Sequence, residues 1–137
     1  MKKILERSAT TKGGRDGLIT DMSSKLVLKM TKPLEMGGNN QTGTNPEELF
    51  SAGYSACFAS SLEYLLLSEK VAYDNLSVKA TTELLANPKT GFYFKLLVDV
   101  KIDGVSEEIR QVYIKKAYGF CPYSKAIKGN VEVIFNA

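Results

Sequence analysis

The stretch "NPEELFSAGYSACFASSLEYLLLSEK", residues 45–70, carries the strongest helix signal in the chain. Asn45 is a preferred N-cap residue, and Pro46 suits the first helical position because its missing N–H would be unpaired there anyway. Glu47 and Glu48 place negative charge at the positive end of the helix dipole, with Glu48 at the capping-box spacing from Asn45. We therefore predict a helix that begins after Asn45.

The middle of this helix is rich in alanine, serine and glycine, which would let another backbone pack closely against it. We predict that its inward face contains Leu49, Phe50, Gly53, Ala56, Cys57, Ser60, Tyr64, Leu65 and Leu67. This composition is typical of a central helix, so the rest of the fold is expected to form around it.

Alternating apolar and polar residues, bounded by turn signals, indicate the strands. We predict strands at residues 4–10, 24–30, 76–85, 92–102 and 131–135. Ser106 is expected to cap a second helix that faces inward with Ile109, Val112, Tyr113 and Ala117. The long polar segment between the early strands and the first helix reads as a functional loop. This order of elements predicts a single α+β domain, residues 1–137, with a mainly antiparallel sheet packed on helices.

Composition excludes several function classes. Of 137 residues, 44% are apolar, and the net charge of +3 comes from scattered lysines, so no basic face for nucleic acid is expected. No apolar run is long enough for a signal peptide or a membrane span, which predicts a cytoplasmic protein. Histidine is absent, which removes histidine-based catalysis and the commonest transition-metal ligand. The two cysteines cannot complete a structural zinc site alone, and no metal is expected.

Cys57 lies too far along its helix for the dipole to lower its pKa, and its apolar neighbours would raise it. Cys121 follows the second helix, whose negative end should keep this thiol protonated. The asymmetry suits a peroxidatic and a resolving cysteine. Two buried free cysteines, or a structural disulfide, are the alternatives that the residues leave open.

Arg15 is one of only three arginines, and it stands inside the glycine frame "GGRDG" at residues 13–17. A guanidinium is planar, always charged and presents several fixed donors, which a lysine cannot do. Cys57 would need a cation from elsewhere to become a thiolate, and Arg15 is a candidate for it, although a solvated turn residue is the plainer interpretation. Glu47 can hold the guanidinium with both oxygens, or serve simply as an acidic residue at a helix start.

Three segments together resemble the OsmC/Ohr superfamily, and specifically its organic hydroperoxide resistance (Ohr) branch. They are "GGRDG" at residues 13–17, "TNPEELFSAGYSACF" at residues 44–58 and "CPYSKAIKGNVEV" at residues 121–133. The match spans nearly the whole chain, although Lys128 stands where relatives often carry arginine.

The resemblance implies a thiol peroxidase that reduces organic hydroperoxides to alcohols. Cys57 matches the peroxidatic cysteine, Cys121 the resolving cysteine, Arg15 the activating arginine, and Glu47 the glutamate that pairs with that arginine. The implied fold is an intertwined homodimer with two sheets around central helices. No bound cofactor is implied, and the expected electron donor is a dihydrolipoyl group carried by a partner protein.

Two further expectations concern the site. Four aromatic residues near the proposed chemistry are expected either to line a pocket for the apolar tail of a hydroperoxide or to pack in the core: Phe50, Tyr54, Phe58 and Tyr123. Glu47 and Cys57 are ten residues apart, about 15 Å along a straight helix. Either the helix breaks at Gly53, or the two residues of one site come from different subunits.

Two other function classes remain open at this stage. One is a non-enzymatic OsmC-like protein that binds a small apolar ligand. The other is a redox sensor that signals to a partner through disulfide formation. The presence of both cysteines together with Arg15 favours enzymatic turnover over either of these.

Overall fold

The computed structural model describes residues 1–136, and it contains the predicted long helix, α1, at Pro46–Ser68. Asn45 caps this helix, since its side-chain oxygen accepts a hydrogen bond from the Glu48 N–H at 2.8 Å. The Glu48 carboxylate accepts from the Thr44 hydroxyl at 3.3 Å, whereas a capping box would direct it to the Asn45 N–H. The helix runs without a break through Gly53, so the expected alternative of a helix break there is wrong.

The first of two compact units, Met1–Leu49, contains a small antiparallel sheet. Its strands, in spatial order, are β1 (Thr10–Lys12), β2 (Leu18–Thr20) and β3 (Leu28–Lys29). A short 3-10 turn follows at Leu34–Met36. The "GGRDG" segment is the turn between β1 and β2.

The predicted strands in this unit need correction. Residues 4–9 form no strand, and the first strand begins only at Thr10. The predicted strand at residues 24–30 is reduced to Leu28–Lys29. Lys25, inside the predicted range, adopts the left-handed conformation with φ of 63°, which does not fit a strand. Sequence alternation also missed β2, which is too short to show a period.

The second unit, from Phe50 onward, contains a three-stranded sheet and three helices. Its further elements are β4 (Asn75–Asn87), β5 (Gly91–Asp103), α2 (Glu107–Phe120), α3 (Pro122–Ile127) and β6 (Glu132–Asn136). β4 and β5 form the predicted hairpin, in register from Asn75 opposite Asp103 to Asn87 opposite Gly91. β6 pairs with β5 in parallel, because the chain crosses over through α2 and α3 before it returns. The predicted α+β class is confirmed.

The core of this unit lies between one face of α1, the central strand β5 and α2. Its buried members include Tyr54, Phe58, Leu62, Leu66, Leu96, Val98, Val100, Ile102, Tyr113, Ile114 and Ala117. The predicted inward face of α1 is correct only in part. Phe50, Cys57 and Leu65 pack against this core, whereas Tyr64 and Leu67 are exposed. Apolar and small residues surround the whole helix, so periodicity could not tell which face would meet β5.

Helix α2 begins as predicted, with the Ser106 hydroxyl accepting from the Ile109 N–H at 3.2 Å. Ile109 itself is exposed, while Arg110 is buried. The Arg110 guanidinium donates to the Val100 carbonyl at 2.9 Å and pairs with Glu107. A charged residue thus ties α2 to β5, a role that a hydrophobic pattern does not reveal. Val112 is also exposed, contrary to the prediction, whereas Tyr113 and Ala117 are buried as predicted.

Candidate active site

Two thiols meet in the second unit. The Sγ atoms of Cys57 and Cys121 are 3.5 Å apart, and both cysteines are free. Cys57 lies near the middle of α1 and is partly exposed, whereas Cys121 is fully buried. The fold therefore brings together the two cysteines that are 64 residues apart in the sequence.

The following proline and two backbone hydrogen bonds fix the backbone conformation at Cys121. Cys121 ends α2 and precedes Pro122, and its extended conformation (φ −60°, ψ 125°) is the one that a following proline favours. Its N–H donates to the Ala117 carbonyl at 2.8 Å, and its carbonyl accepts from the Lys125 N–H at 3.0 Å. Both backbone groups are thus satisfied, which holds the thiol at the junction of α2 and α3.

Two serines complete the surroundings of the thiols. The buried Ser124 hydroxyl is 2.8 Å from the hydroxyl of the buried Tyr54. The Ser61 hydroxyl donates to the Cys57 carbonyl at 2.9 Å. Neither serine was predicted from the sequence, although the spacing of Ser124 three residues after Cys121, at the start of a helix that begins with proline, was an available signal.

The electrostatics of the two thiols differ from the expectation. Burial raises the pKa of Cys57, hydrogen bonding from the Tyr123 N–H partly offsets it, and Cys121 raises it further. Burial also raises the pKa of Cys121, but its hydrogen-bonding contacts with Ser124, Cys57 and Ser61 outweigh burial, and the net direction is downward. The Cys121 side chain makes no capping hydrogen bond on α3.

The directions of these two shifts are opposite to the predicted asymmetry, in which Cys121 was the thiol with the higher pKa. The prediction considered only the negative end of α2, but Ser124 of α3, the helix that starts directly afterwards, also lowers the pKa of this thiol. The need of Cys57 for an outside cation is correspondingly stronger, because its own surroundings oppose ionisation.

In the first unit, Arg15 and Glu47 form a two-pronged ion pair. Arg15 Nη2 lies 2.6 Å from Glu47 Oε1, and Nη1 lies 2.9 Å from Oε2. The hydrogen bond to Arg15 holds the pKa of Glu47 below its usual value, and the hydrogen bond to Glu47 raises that of Arg15. The predicted pairing is present, and the guanidinium is held in one orientation.

The glycines around Arg15 have a specific role in that turn. The Gly17 N–H donates to the Gly14 carbonyl at 2.9 Å and closes the turn. A Cβ on Gly17 would lie 2.2 Å from the Lys12 carbonyl oxygen, and Gly13 has a φ of 80°. Other residue types would distort the turn at either position.

The four predicted aromatic residues occupy different environments. Tyr54 and Phe58 are fully buried in the core, and burial raises the pKa of Tyr54 to about 12. Phe50 is half-buried, with its ring centroid 5.1 Å from that of Phe94. Tyr123 is 40% exposed and meets Tyr54 edge to face. Of the four, Tyr123 has the most surface available to a ligand in this chain.

Within residues 1–136, no three His, Cys, Asp or Glu side chains are grouped so that they could hold a metal ion. None of the helices in that range is long and apolar enough to cross a membrane.

Comparison with known proteins places this arrangement in context. The family model described as "OsmC-like protein" matches residues 37–136. The organic hydroperoxide resistance protein-like 2 of Staphylococcus epidermidis is 40% identical over 132 residues, which cover 95% of this chain and 92% of that protein.

Two solved structures are similar throughout. An organic hydroperoxide resistance protein from Elizabethkingia anophelis is 37% identical, with a TM-score of 0.92, over 98% of this chain and 96% of that one. An organic hydroperoxide resistance protein from Legionella pneumophila is 34% identical with the same TM-score of 0.92, over 98% and 97% of the two chains.

Proposed function

Because the chain belongs to the OsmC family, and within it to the organic hydroperoxide resistance branch, we propose that it is a thiol-dependent peroxidase that reduces organic hydroperoxides to alcohols. One observation carries this proposal: two free thiols lie 3.5 Å apart at the junction of α1, α2 and α3. We place the reaction in the cytoplasm, where protein thiols stay reduced between turnovers.

The first chemical step is attack on the peroxide. The Cys57 thiolate attacks the terminal oxygen of R–O–O–H, the O–O bond breaks, and Cys57 becomes a sulfenic acid. The electron pair of the broken bond leaves on the alkoxide, which takes up a proton to become the alcohol. The sulfur is oxidised by two electrons, and the peroxide is reduced by two.

The second step closes a disulfide. The Cys121 sulfur attacks the Cys57 sulfenic acid, an S–S bond forms, and the hydroxyl leaves with a proton as water. A disulfide requires the two sulfur atoms to come to about 2.05 Å, so the present 3.5 Å separation needs only a small approach. The lowered pKa of Cys121 favours its action as the attacking thiolate.

The third step restores the two thiols. A dithiol attacks the Cys57–Cys121 disulfide through a mixed disulfide and is itself oxidised to a cyclic disulfide. We propose a dihydrolipoyl group carried by a partner protein as this donor. Its two thiols on one chain can release both protein sulfurs without a second donor molecule.

Arg15 is proposed as the cation that activates Cys57. It can lower the thiol pKa and present fixed N–H donors to the peroxide oxygens and the departing alkoxide. The bidentate hydrogen bonding by Glu47 supports this role, because it fixes the orientation of the guanidinium.

We further propose that each site combines two subunits of a homodimer. Glu47 and Cys57 lie ten residues apart on the unbroken helix α1, about 15 Å along its axis. An arginine held by Glu47 is therefore poorly placed for the thiol of its own chain, and Arg15 of the partner subunit is proposed to serve Cys57.

The basic test mixes reduced protein with an equimolar amount of tert-butyl hydroperoxide. We expect tert-butanol and an intramolecular Cys57–Cys121 disulfide, identified by mass spectrometry of peptides. Cys57→Ser should leave the peroxide unconsumed, and consumption at the wild-type rate by that variant would refute the mechanism. Reduced lipoamide should sustain turnover better than reduced thioredoxin, and the reverse preference would refute the proposed donor.

A mixed-subunit test examines the two-subunit site. Cys57→Ser and Arg15→Ala chains, each inactive alone, are unfolded together and refolded in equal amounts. If each site uses Cys57 of one chain and Arg15 of the other, half of the dimers hold one intact site, and about a quarter of the wild-type activity returns. If a single chain supplies both residues, no mixed dimer holds an intact site and the mixture stays inactive.

A further inference from the structure

Gly53 lies under the side chain of Tyr123. A Cβ at position 53 would be 2.6 Å from the Tyr123 hydroxyl oxygen and 3.1 Å from two carbons of the ring. Non-bonded atoms in good contact are about 3.5–4 Å apart, so an added methyl group would collide with the hydroxyl. The ring of Tyr123 therefore rests directly on the backbone of α1, and a Cβ at position 53 would require the ring to shift.

This contact is next to the reactive thiol. Cys57 follows Gly53 by four residues, so the two lie on the same face of α1, one turn apart. Side chains on a helix lean toward its N-terminus, which directs the Cys57 side chain over the turn that contains Gly53. Tyr123 covers that turn, so its ring borders the approach to the sulfur on the N-terminal side.

The backbone segment that carries the ring is anchored on both sides, so the ring can shift only about its own side-chain bonds. Cys121 touches Cys57, with the two sulfur atoms 3.5 Å apart. Ser124 is bonded to the buried Tyr54 hydroxyl at 2.8 Å. The first turn of α3 is thus held against α1 at neighbouring points, and Tyr123 projects between them with 40% of its surface exposed.

We propose that Tyr123 forms the wall beside Cys57 against which the carbon chain of the hydroperoxide packs, and that Gly53 is the positioning residue that sets this wall. The inference rests on the proposed peroxidase function and adds a selection rule to it. Peroxides with a carbon chain gain packing contacts with the Tyr123 ring and therefore react more efficiently. Hydrogen peroxide has no carbon to place there and gains no such contacts.

The experiment compares kcat/KM for an unbranched alkyl hydroperoxide and for hydrogen peroxide in four proteins. These are the wild type, Gly53→Ala, Tyr123→Phe and the double variant. Gly53→Ala should displace the ring and lower the alkyl-to-hydrogen-peroxide ratio about tenfold, the scale of a lost methylene contact or a small misplacement. Tyr123→Phe keeps the ring and should leave the ratio within about threefold of the wild type.

The double variant supplies the decisive readout. Removing the hydroxyl takes away the 2.6 Å collision and leaves only the two 3.1 Å ring contacts, which need a shift of a few tenths of an ångström. Gly53→Ala combined with Tyr123→Phe should therefore restore most of the alkyl-to-hydrogen-peroxide ratio of kcat/KM that Gly53→Ala alone loses. A merely structural role of Gly53 would give no such rescue. If Gly53→Ala does not fold, the double variant should fold with a near-normal ratio, and its failure to do so would overturn the proposal.

Gly119→Ala is the matched control, because this glycine is also helical and an added Cβ would meet nothing within 4 Å. It should leave the ratio unchanged.

A wild-type ratio in Gly53→Ala, or an equal loss of kcat/KM with both peroxides, would refute the proposed role of Tyr123 and Gly53. A wild-type protein that consumes neither peroxide would instead refute the proposed function itself.

Discussion

Replacing Arg15 by lysine separates the charge of this residue from its shape. In the structure, two guanidinium nitrogens contact the two oxygens of Glu47, at 2.6 and 2.9 Å. A lysine ammonium is a point charge without that fork, and it can match one oxygen but does not hold a fixed orientation. The substitution therefore keeps the positive charge and removes the fixed orientation of the N–H donors.

The expected effects on stability and on activity differ in size. Losing one charge-assisted hydrogen bond at a pair that is 30% and 15% exposed should lower the free energy of unfolding by about 1 kcal/mol, after allowance for solvent screening. Losing a donor aimed at the departing oxygen should lower kcat about 100-fold, or about 2.7 kcal/mol in activation free energy. The activity loss should thus be much larger than the stability loss.

The assay combines three measurements on the same preparations. Peroxide consumption with reduced lipoamide gives kcat and KM, urea unfolding gives stability, and the pH dependence of Cys57 alkylation by iodoacetamide gives the thiol pKa. Because lysine keeps the charge, the alkylation midpoint should move little while kcat falls. Arg7→Lys is the matched control, since Arg7 is exposed and bonds only to the neighbouring Glu6 carbonyl among the contacts of residues 1–136.

Turnover within about threefold of the wild type in Arg15→Lys would refute the reasoning, because the loss of an aimed donor should cost far more. It would show that charge alone serves the reaction. An equal loss in Arg7→Lys would point to a general effect of exchanging arginine and would equally remove the case for Arg15.

Three further predictions follow from the site. Cys121→Ser should still consume one equivalent of peroxide but stop at a Cys57 sulfenic acid, which dimedone labels and mass spectrometry detects; an unimpaired steady-state rate would contradict a resolving role. Ser124→Ala should leave the buried Tyr54 hydroxyl without its partner and destabilise the protein by about 1–3 kcal/mol in urea unfolding, and adding Tyr54→Phe should recover most of that loss. The lowered pKa of Glu47 means that its ion pair contributes stability above the ordinary glutamate pKa of 4.5 and loses it as the pH falls through the lower folded value. Glu47→Gln should therefore flatten the stability profile below the ordinary glutamate pKa of 4.5, and an unchanged profile would argue against the pair.

Local rules accounted for much of what the sequence could predict. Caps at Asn45 and Ser106, proline at the first turn and the hairpin between residues 76 and 102 depend on neighbours in the chain, and the structure confirms them. The face of α1 that enters the core was not predictable in the same way. Tyr64 and Tyr54 have the same side chain, and only the position of β5 decides that one is exposed and the other buried.

The family, the two candidate cysteines and the Arg15–Glu47 ion pair could all be predicted from the sequence. Short motifs contain the residue types that the chemistry needs. The tertiary structure alone decided how the thiols differ. Ser124 lowers the pKa of Cys121, and it lies on α3, a helix that periodicity missed because it has only six residues. Hydrogen bonds and van der Waals contacts act over a few ångströms, so the seating of Tyr123 on Gly53, 70 positions away along the chain, became visible only once the fold had brought the two together.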